Sequence, residues 1–446
     1  MGRAESTKVG DSEKRDLESE RLESATDSES RNLASRDTSA SALSHNKGLD
    51  SQIVDCHEAT APRNDNNSKS TETKSPDSNT TESNAALRAL ASLAQAVRAE
   101  FFPSKPYGYR ARAEFRFIDS TSEGGSLHYA MSARGRNART PITRCPILHQ
   151  SLQALMPPLL ESLRASKILS HKLYACNLLC SLQGEAIITL IYHKRLDSAW
   201  EERARELQES LNRALPFQIH LIGRAKNLKL TLSTDTLLET LTLFEHSPKA
   251  RTLRYFKQEA RFSQPNPAMN IKMLEFITRA IEQIHATRAP CDMLELYCGS
   301  GNFSIALSPY FRAILATEVV KSASALLNEN LKLNGVDNII SVRLNAHESI
   351  QALRGERAFY RLKEVDLQSY HFDCVLIDPP RAGVGERYIL EFLQGFSTII
   401  YVSCNPTTLL RDMEILHSSH TIARFGIFDQ FPHTPHSECV LILTKR

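Results

Sequence analysis

From about residue 293 to the carboxyl terminus, short β-branched and apolar runs alternate with stretches of helical spacing. Such alternation demands a parallel sheet, because each strand must return to its neighbour through a crossover, usually a helix. The runs cover residues 293–297, 313–318, 339–344, 372–377, 398–402, 422–428 and 439–443. The last two are close enough to pair as a hairpin. The expected core is therefore α/β: a doubly wound, mostly parallel sheet of seven strands with one antiparallel strand inserted. Within it, Ile399-Ile400-Tyr401-Val402 reads as a buried strand that runs into Ser403-Cys404-Asn405-Pro406, after which helical spacing resumes. Cys404 thus falls between a strand's carboxyl end and a helix amino terminus, where open α/β sheets hold ligands. The positive helix end should lower the thiol's pKa. A nucleophile and a buried, inert thiol are the two readings of this stretch alone.

The chain ahead of this core divides in two. Residues 1–86 contain no Phe, Tyr or Trp and hold 11 Lys and Arg against 17 Asp and Glu. They cannot bury enough apolar surface to offset chain entropy, so a disordered extension is expected. Residues 87–250 read as a smaller α+β domain with an antiparallel sheet, and residues 251–446 as the α/β domain. In the small domain Arg110, Arg112, Glu114 and Arg116 alternate with Ala111, Ala113, Phe115 and Phe117. Period two predicts a half-buried strand with a mainly basic outer face. The loop that follows carries Arg134, Arg136 and Arg139, and Tyr174 and His193 stand at strand ends, where rings can stack on a base. Beyond residue 86 there are 43 basic and 34 acidic residues, a balance that suits a nucleic-acid surface. No run of about eighteen apolar residues predicts a membrane span, and the amino terminus lacks a secretory core. Nine cysteines at irregular spacing argue against a disulfide framework or a zinc site. The expected location is cytoplasmic, with reduced thiols.

Three further segments carry chemistry. Leu294-Glu-Leu-Tyr-Cys-Gly-Ser-Gly-Asn-Phe-Ser304 follows the first strand, and Gly299 and Gly301 let its backbone approach a ligand. Glu318 ends the next strand, placed for ribose hydroxyls. Ser304 stands where a dinucleotide fingerprint would have its third glycine, and the shortened pattern fits S-adenosylmethionine better. Asp378-Pro-Pro-Arg381 closes the fourth strand. No aromatic follows its prolines, unlike the loop of adenine-amino methyltransferases. Phe428-Asp-Gln-Phe-Pro-His-Thr-Pro-His-Ser-Glu438-Cys439 sets an acid at the mouth of the final strand.

With Phe262-Ser-Gln-Pro-Asn266, Ala316-Thr-Glu318, Ile377-Asp-Pro-Pro-Arg381 and Val402-Ser-Cys-Asn-Pro406, these segments resemble the RNA uracil-C5 methyltransferases, most closely the tRNA branch. The likeness spans roughly residues 87–446, and the motifs occur in the family's order. It implies that Gln264, Tyr297, Asn302, Glu318 and Asp378 bind S-adenosyl-L-methionine, that Cys404 is the nucleophile and that Glu438 is the base. The substrate it implies is the T-loop uridine at tRNA position 54, with the T arm bound by the small domain. The ribosomal-RNA branch carries a cysteine cluster for an iron–sulfur centre. Cys56, Cys145, Cys176 and Cys180 do not match it, so neither cluster nor metal is expected, and no protein partner. The implied chemistry is attack of the thiolate on uracil C6, methylation at C5 and loss of the C5 proton to Glu438. Two alternatives stand beside it: the same chemistry on another structured RNA, and an RNA-binding or folding protein whose catalysis is incidental.

Overall fold

Apolar strands gather into two large sheets joined by a two-stranded connector. The computed structural model describes residues 88–120, 126–132, 139–286, 289 and 291–446. The extension and the loop residues Arg134 and Arg136 lie outside the described residues. Residues 88–96 are helical, and Leu90 is buried in the core of the larger sheet. Arg98, at φ 51°, turns the chain into β1 (Glu100–Phe102).

The smaller sheet comprises β2 (Arg112–Ser120), β3 (Ser126–Ser132), β4 (Arg139–Ile142), β5 (Leu173–Cys180), β6 (Ala186–Tyr192), β7 (Ile219–Ala225) and β8 (Leu228–Thr231). Its order is β4-β3-β2-β5-β6-β7-β8. One face packs Phe115, Phe117 and Tyr129 against Leu155 and Leu159 of the helix Gln150–Ala165 and against Trp200 of the helix Ser198–Ala214. Asp197 caps that second helix by accepting from Trp200 N at 2.9 Å. The sheet is not purely antiparallel as the sequence suggested. β6 and β7 run parallel because the helix Ser198–Ala214 crosses over between them. β7 and β8 form a hairpin, turned at Asn227 with φ 59°.

The connector pairs β9 (Thr236–Leu243) with β10 (Arg251–Gln258) antiparallel. Inside it Lys257 Nζ lies 2.8 Å from Glu239 Oε2, with both side chains buried. Lys257 also donates to the Cys180 carbonyl at 2.8 Å, and Glu239 accepts from Leu182 N at 2.7 Å. This ion pair therefore ties the connector to the end of β5 and has its remaining polar atoms matched.

The larger sheet adds β11 (Asp292–Leu296), β12 (Ile314–Thr317), β13 (Ile339–Val342), β14 (Phe372–Ile377), β15 (Thr398–Ser403), β16 (His420–Phe428) and β17 (Glu438–Lys445). Its order is β1-β16-β17-β15-β14-β11-β12-β13. The expected seven strands become eight, and the sheet is mixed: β17 is antiparallel to both β15 and β16, while β1 pairs parallel with β16. A three-residue strand is too short to announce itself in sequence. It is held by Phe102, which stacks on Phe428 at 4.5 Å and meets Phe276 edge-on at 5.7 Å. Strand order reverses at β11, whose neighbours are β12 and β14, and the crevice at such a switch point is where ligands bind.

Candidate active site

Antiparallel pairing of β15 with β17 sets Ser403 opposite Cys439. The pairing ends there. Cys404 follows as a bend and Glu438, the first residue of β17, precedes Cys439, so the two flank the last pair and lie close enough to act on one another electrostatically. Two groups distant in sequence thus come together because a hairpin strand is inserted beside the Cys404 turn. Pro406 opens the helix Pro406–Leu416, and Asn405 caps it by accepting from Thr407 N at 3.1 Å. Asp378 follows β14, the strand beside β15.

These groups act on one another. Burial first, then the Glu438 and Asp378 carboxylates, push the Cys404 thiol above its ordinary value, opposed by Arg381. The expected lowering by the helix end is overturned, since desolvation and two nearby acids outweigh a partial charge. Burial also raises Glu438 well above the usual carboxylate range, with Asp378 adding and Arg381 opposing. Desolvation lifts Asp378 to about 7. Glu295, fully buried on β11, is lifted to about 8, chiefly by burial, although the Ser304 hydroxyl donates to it. Acids whose charged forms are disfavoured by burial thus crowd around the thiol, and a cationic ligand would relieve that cost.

Arg381 was passed over in sequence as merely non-aromatic, yet it is the cation that opposes the shifts of Cys404 and Glu438. Its Nη2 donates to His436 Nδ1 at 2.8 Å. Its carbonyl accepts from Asn405 Nδ2 at 3.1 Å and Thr408 Oγ1 at 3.3 Å, binding its loop to the Cys404 turn. Beneath lies Asp412, wholly buried, which accepts from Val384 N at 2.8 Å, Gly385 N at 3.1 Å and the Tyr401 hydroxyl at 2.5 Å. An acid on a helix otherwise rich in apolar residues offers no sequence signal for this anchoring.

The glycine loop follows β11 through a series of left-handed residues, with φ 62° at Tyr297, 55° at Gly299 and 85° at Gly301. A tyrosine there is strained and held by its surroundings. A Cβ at Gly299 would meet nothing within 4 Å, so the backbone is open to a ligand at this point. Glu318 shapes the loop, accepting from Gly299 N at 2.9 Å and Val320 N at 2.8 Å. A carboxylate has about four acceptor sites, which leaves these bonds compatible with a ribose contact. Asn302 exchanges side-chain hydrogen bonds with Asn270 at 2.7 and 2.9 Å. Gln264 lies between β10 and the helix Pro267–His285, where its Oε1 accepts from Gln430 Nε2 at 2.6 Å.

Among the described residues the basic side chains of the small domain do not all share one face, though Arg139 lies near enough to Arg116 to lower its pKa. Arg110 does not share the outer face of Arg112 and Arg116. It is 6% exposed, donates to the Arg112 carbonyl at 3.0 Å and lies 5.6 Å from the Phe431 ring centre. The strand begins only at Arg112, after a turn at Gly108 with φ 70°, so the alternation does not extend back to Arg110. Tyr174 and His193 do come together, ring to ring at 4.2 Å, with the Arg116 guanidinium over the Tyr174 ring, 4.0 Å from its centre. A shallow open cleft lies between this sheet face and the turn after β10, lined by Arg112, Glu114, Asn177, Thr189, Glu259 and Arg261 among others. Among the described residues no three acids, histidines or cysteines are grouped to hold a metal ion, and no helix is long and apolar enough to cross a membrane.

Fold and crevice together place the chain among α/β enzymes that bind a nucleoside cofactor on a glycine loop and do chemistry at a neighbouring strand end. The family model for tRNA (uracil-5-)-methyltransferase matches residues 77–446. A tRNA/tmRNA (uracil-C(5))-methyltransferase of Helicobacter hepaticus is 60% identical over 346 residues, which cover 78% of this chain and 86% of the relative. One of Wolinella succinogenes is 47% identical over 360 residues, covering 81% and 92%. The solved Pyrococcus abyssi tRNA (uracil-54, C5)-methyltransferase in complex with S-adenosyl-L-homocysteine shares the fold, at a TM-score of 0.57 and 19% identity over 82% of this chain and 83% of that one. The chain belongs to the tRNA (uracil-5-)-methyltransferase family, whose members are S-adenosylmethionine-dependent enzymes.

Proposed function

We propose that this protein methylates carbon 5 of the T-loop uridine, position 54, of tRNA, with S-adenosyl-L-methionine as donor and Cys404 as covalent nucleophile. The observation that carries this reading is that Cys404 and Glu438 flank the last β15–β17 pair, where the Glu438 and Asp378 carboxylates act on the thiol. The donor supplies an electrophilic methyl group on a positively charged sulfur. Its binding residues in this reading are Gln264, Tyr297, Asn302, Glu318 and Asp378. The acids raised by desolvation and the open backbone at Gly299 fit a cationic nucleoside. Positive charge in the crevice favours ionisation of Glu438 and of the Cys404 thiol. The thiolate adds to uracil C6, leaving an enolate whose C5 takes the methyl. Glu438 then accepts the C5 proton, and elimination restores the thiol sulfur. The target base must leave its stack, at about a few kcal/mol. In this reading residues 87–250 hold the T arm in the cytoplasm, across the sheet face of Arg112 and Arg116, while residues 251–446 do the chemistry.

The test uses tRNA labelled with tritium at uridine C5. Donor-dependent tritium release is expected from wild type and from Glu295→Gln at reduced rate, and none from Cys404→Ala. Transcripts with cytidine at position 54 should release none. Release that persists from those transcripts would move the target to another uridine.

A further inference from the structure

Gln430 is fully buried, yet its carboxamide oxygen has no hydrogen-bond partner. Unmatched buried acceptors are costly and call for an explanation. Its amino group donates to Gln264 Oε1 at 2.6 Å, its backbone N–H donates to the Phe428 carbonyl at 2.8 Å, and its own carbonyl accepts from Asn266 Nδ2 at 3.4 Å. Asn266 caps the helix Pro267–His285, on which Asn270 pairs with Asn302 of the glycine loop. Gln264 is thereby fixed close to that loop, and it is only half-buried. Exchanging oxygen and nitrogen in both amides would leave both N–H groups of Gln430 unmatched, against one N–H and the oxygen as they stand, and an orphaned buried N–H is the rarer of the two. With Gln430 as donor, Gln264 turns its oxygen inward and its N–H groups outward. Glu318 and Asp378, read with Gln264 as cofactor residues, are acids, which attract a sulfonium and an ammonium but repel a carboxylate. An N–H donor at the carboxylate end offsets that repulsion.

We propose that Gln430 is a positioning residue: it holds the Gln264 amide with its N–H groups toward the crevice, so that Gln264 donates to the carboxylate of the methyl donor. The inference rests on the reading that Gln264 lines the cofactor site. Gln430 acts only through Gln264.

The experiment measures binding of S-adenosylmethionine and of its decarboxylated analogue to the full chain, by calorimetry, for wild type, Gln264→Ala, Gln430→Met and the double variant. Methionine fills a similar buried volume. Gln430→Met should weaken S-adenosylmethionine by about tenfold. Gln264→Ala should lose as much, and the double variant no more than either. The decarboxylated analogue should bind wild type and Gln430→Met alike. Equal weakening of both ligands by Gln430→Met, additive losses, or no loss at all from Gln430→Met would overturn the proposal. Unchanged affinity in Gln264→Ala would instead remove the cofactor reading of Gln264, and the positioning role with it. If Gln430→Met does not fold, Gln430→Leu replaces it, and by removing the donor to Gln264 it should weaken S-adenosylmethionine but not the analogue. Equal weakening would again contradict the proposal.

Discussion

Arg381 opposes the upward shifts of both Cys404 and Glu438, so its charge bears on when the thiol ionises. Arg381→Ala should move the acid limb of the kcat/KM–pH profile to higher pH and lower the rate at neutral pH by about a hundredfold. An unmoved limb would show that the guanidinium serves only its bonds to the turn. Asp378 makes the opposite trade. Its carboxyl titrates near 3.8 when solvated and about 7 in the fold, so between those values the native state binds more protons. Stability from this group is therefore lost as pH rises through that window. Asp378→Asn should raise the melting temperature more at pH 8 than at pH 5 while abolishing turnover. A gain independent of pH would contradict the desolvated carboxylate. The placement of Cys404 on a strand-to-helix turn and of Glu438 at a strand mouth was legible in the sequence. Their proximity was not, because it depends on the register of an antiparallel strand that returns beside β15. Asp412 and Gln430 left no trace either, since a buried acid or amide acquires meaning only from the backbone and side-chain groups folded around it.

At the scale of elements, the loop after β14 and the helix Pro406–Leu416 form one unit. Asp412 accepts from the backbone at Val384 and Gly385, while Gly383, at φ 71°, passes so close that a Cβ would lie 2.8 Å from Thr408 Cβ. Asp412→Ala should cost about 3 kcal/mol in urea unfolding, because it orphans two N–H groups and the Tyr401 hydroxyl. It should also slow turnover more than it weakens tRNA binding, as the loop carries Arg381. A loss below about 1 kcal/mol would mean the loop is held elsewhere. The strand–helix alternation gave this half of the fold away early. The small sheet was harder: its parallel β6–β7 pair follows from a crossover helix whose charged sequence resembles any solvated helix. β1 was invisible because aromatic stacking on Phe428, distant in sequence, holds its three residues in place.

Across the whole molecule, the two sheets must keep a fixed relation if RNA held on one is to reach a thiol on the other. Lys257 and Glu239 secure that relation from a buried position at the end of β5. Lys257→Met leaves Glu239 buried and uncompensated, so it should destabilise by about 3–5 kcal/mol, and adding Glu239→Leu should recover most of the loss. Failure of the double variant to recover would assign the cost to the Cys180 and Leu182 backbone bonds rather than to charge. The central claim is a covalent bond between Cys404 and the target base. A tRNA carrying 5-fluorouridine at position 54 presents no C5 proton for Glu438 to remove, so the adduct cannot eliminate after methylation. Mass spectrometry of the denatured mixture with S-adenosylmethionine should show one enzyme–RNA adduct carrying an added methyl group, mapped to the peptide of Cys404 and absent from Cys404→Ala. No adduct, or one attached to any other residue, would contradict the account.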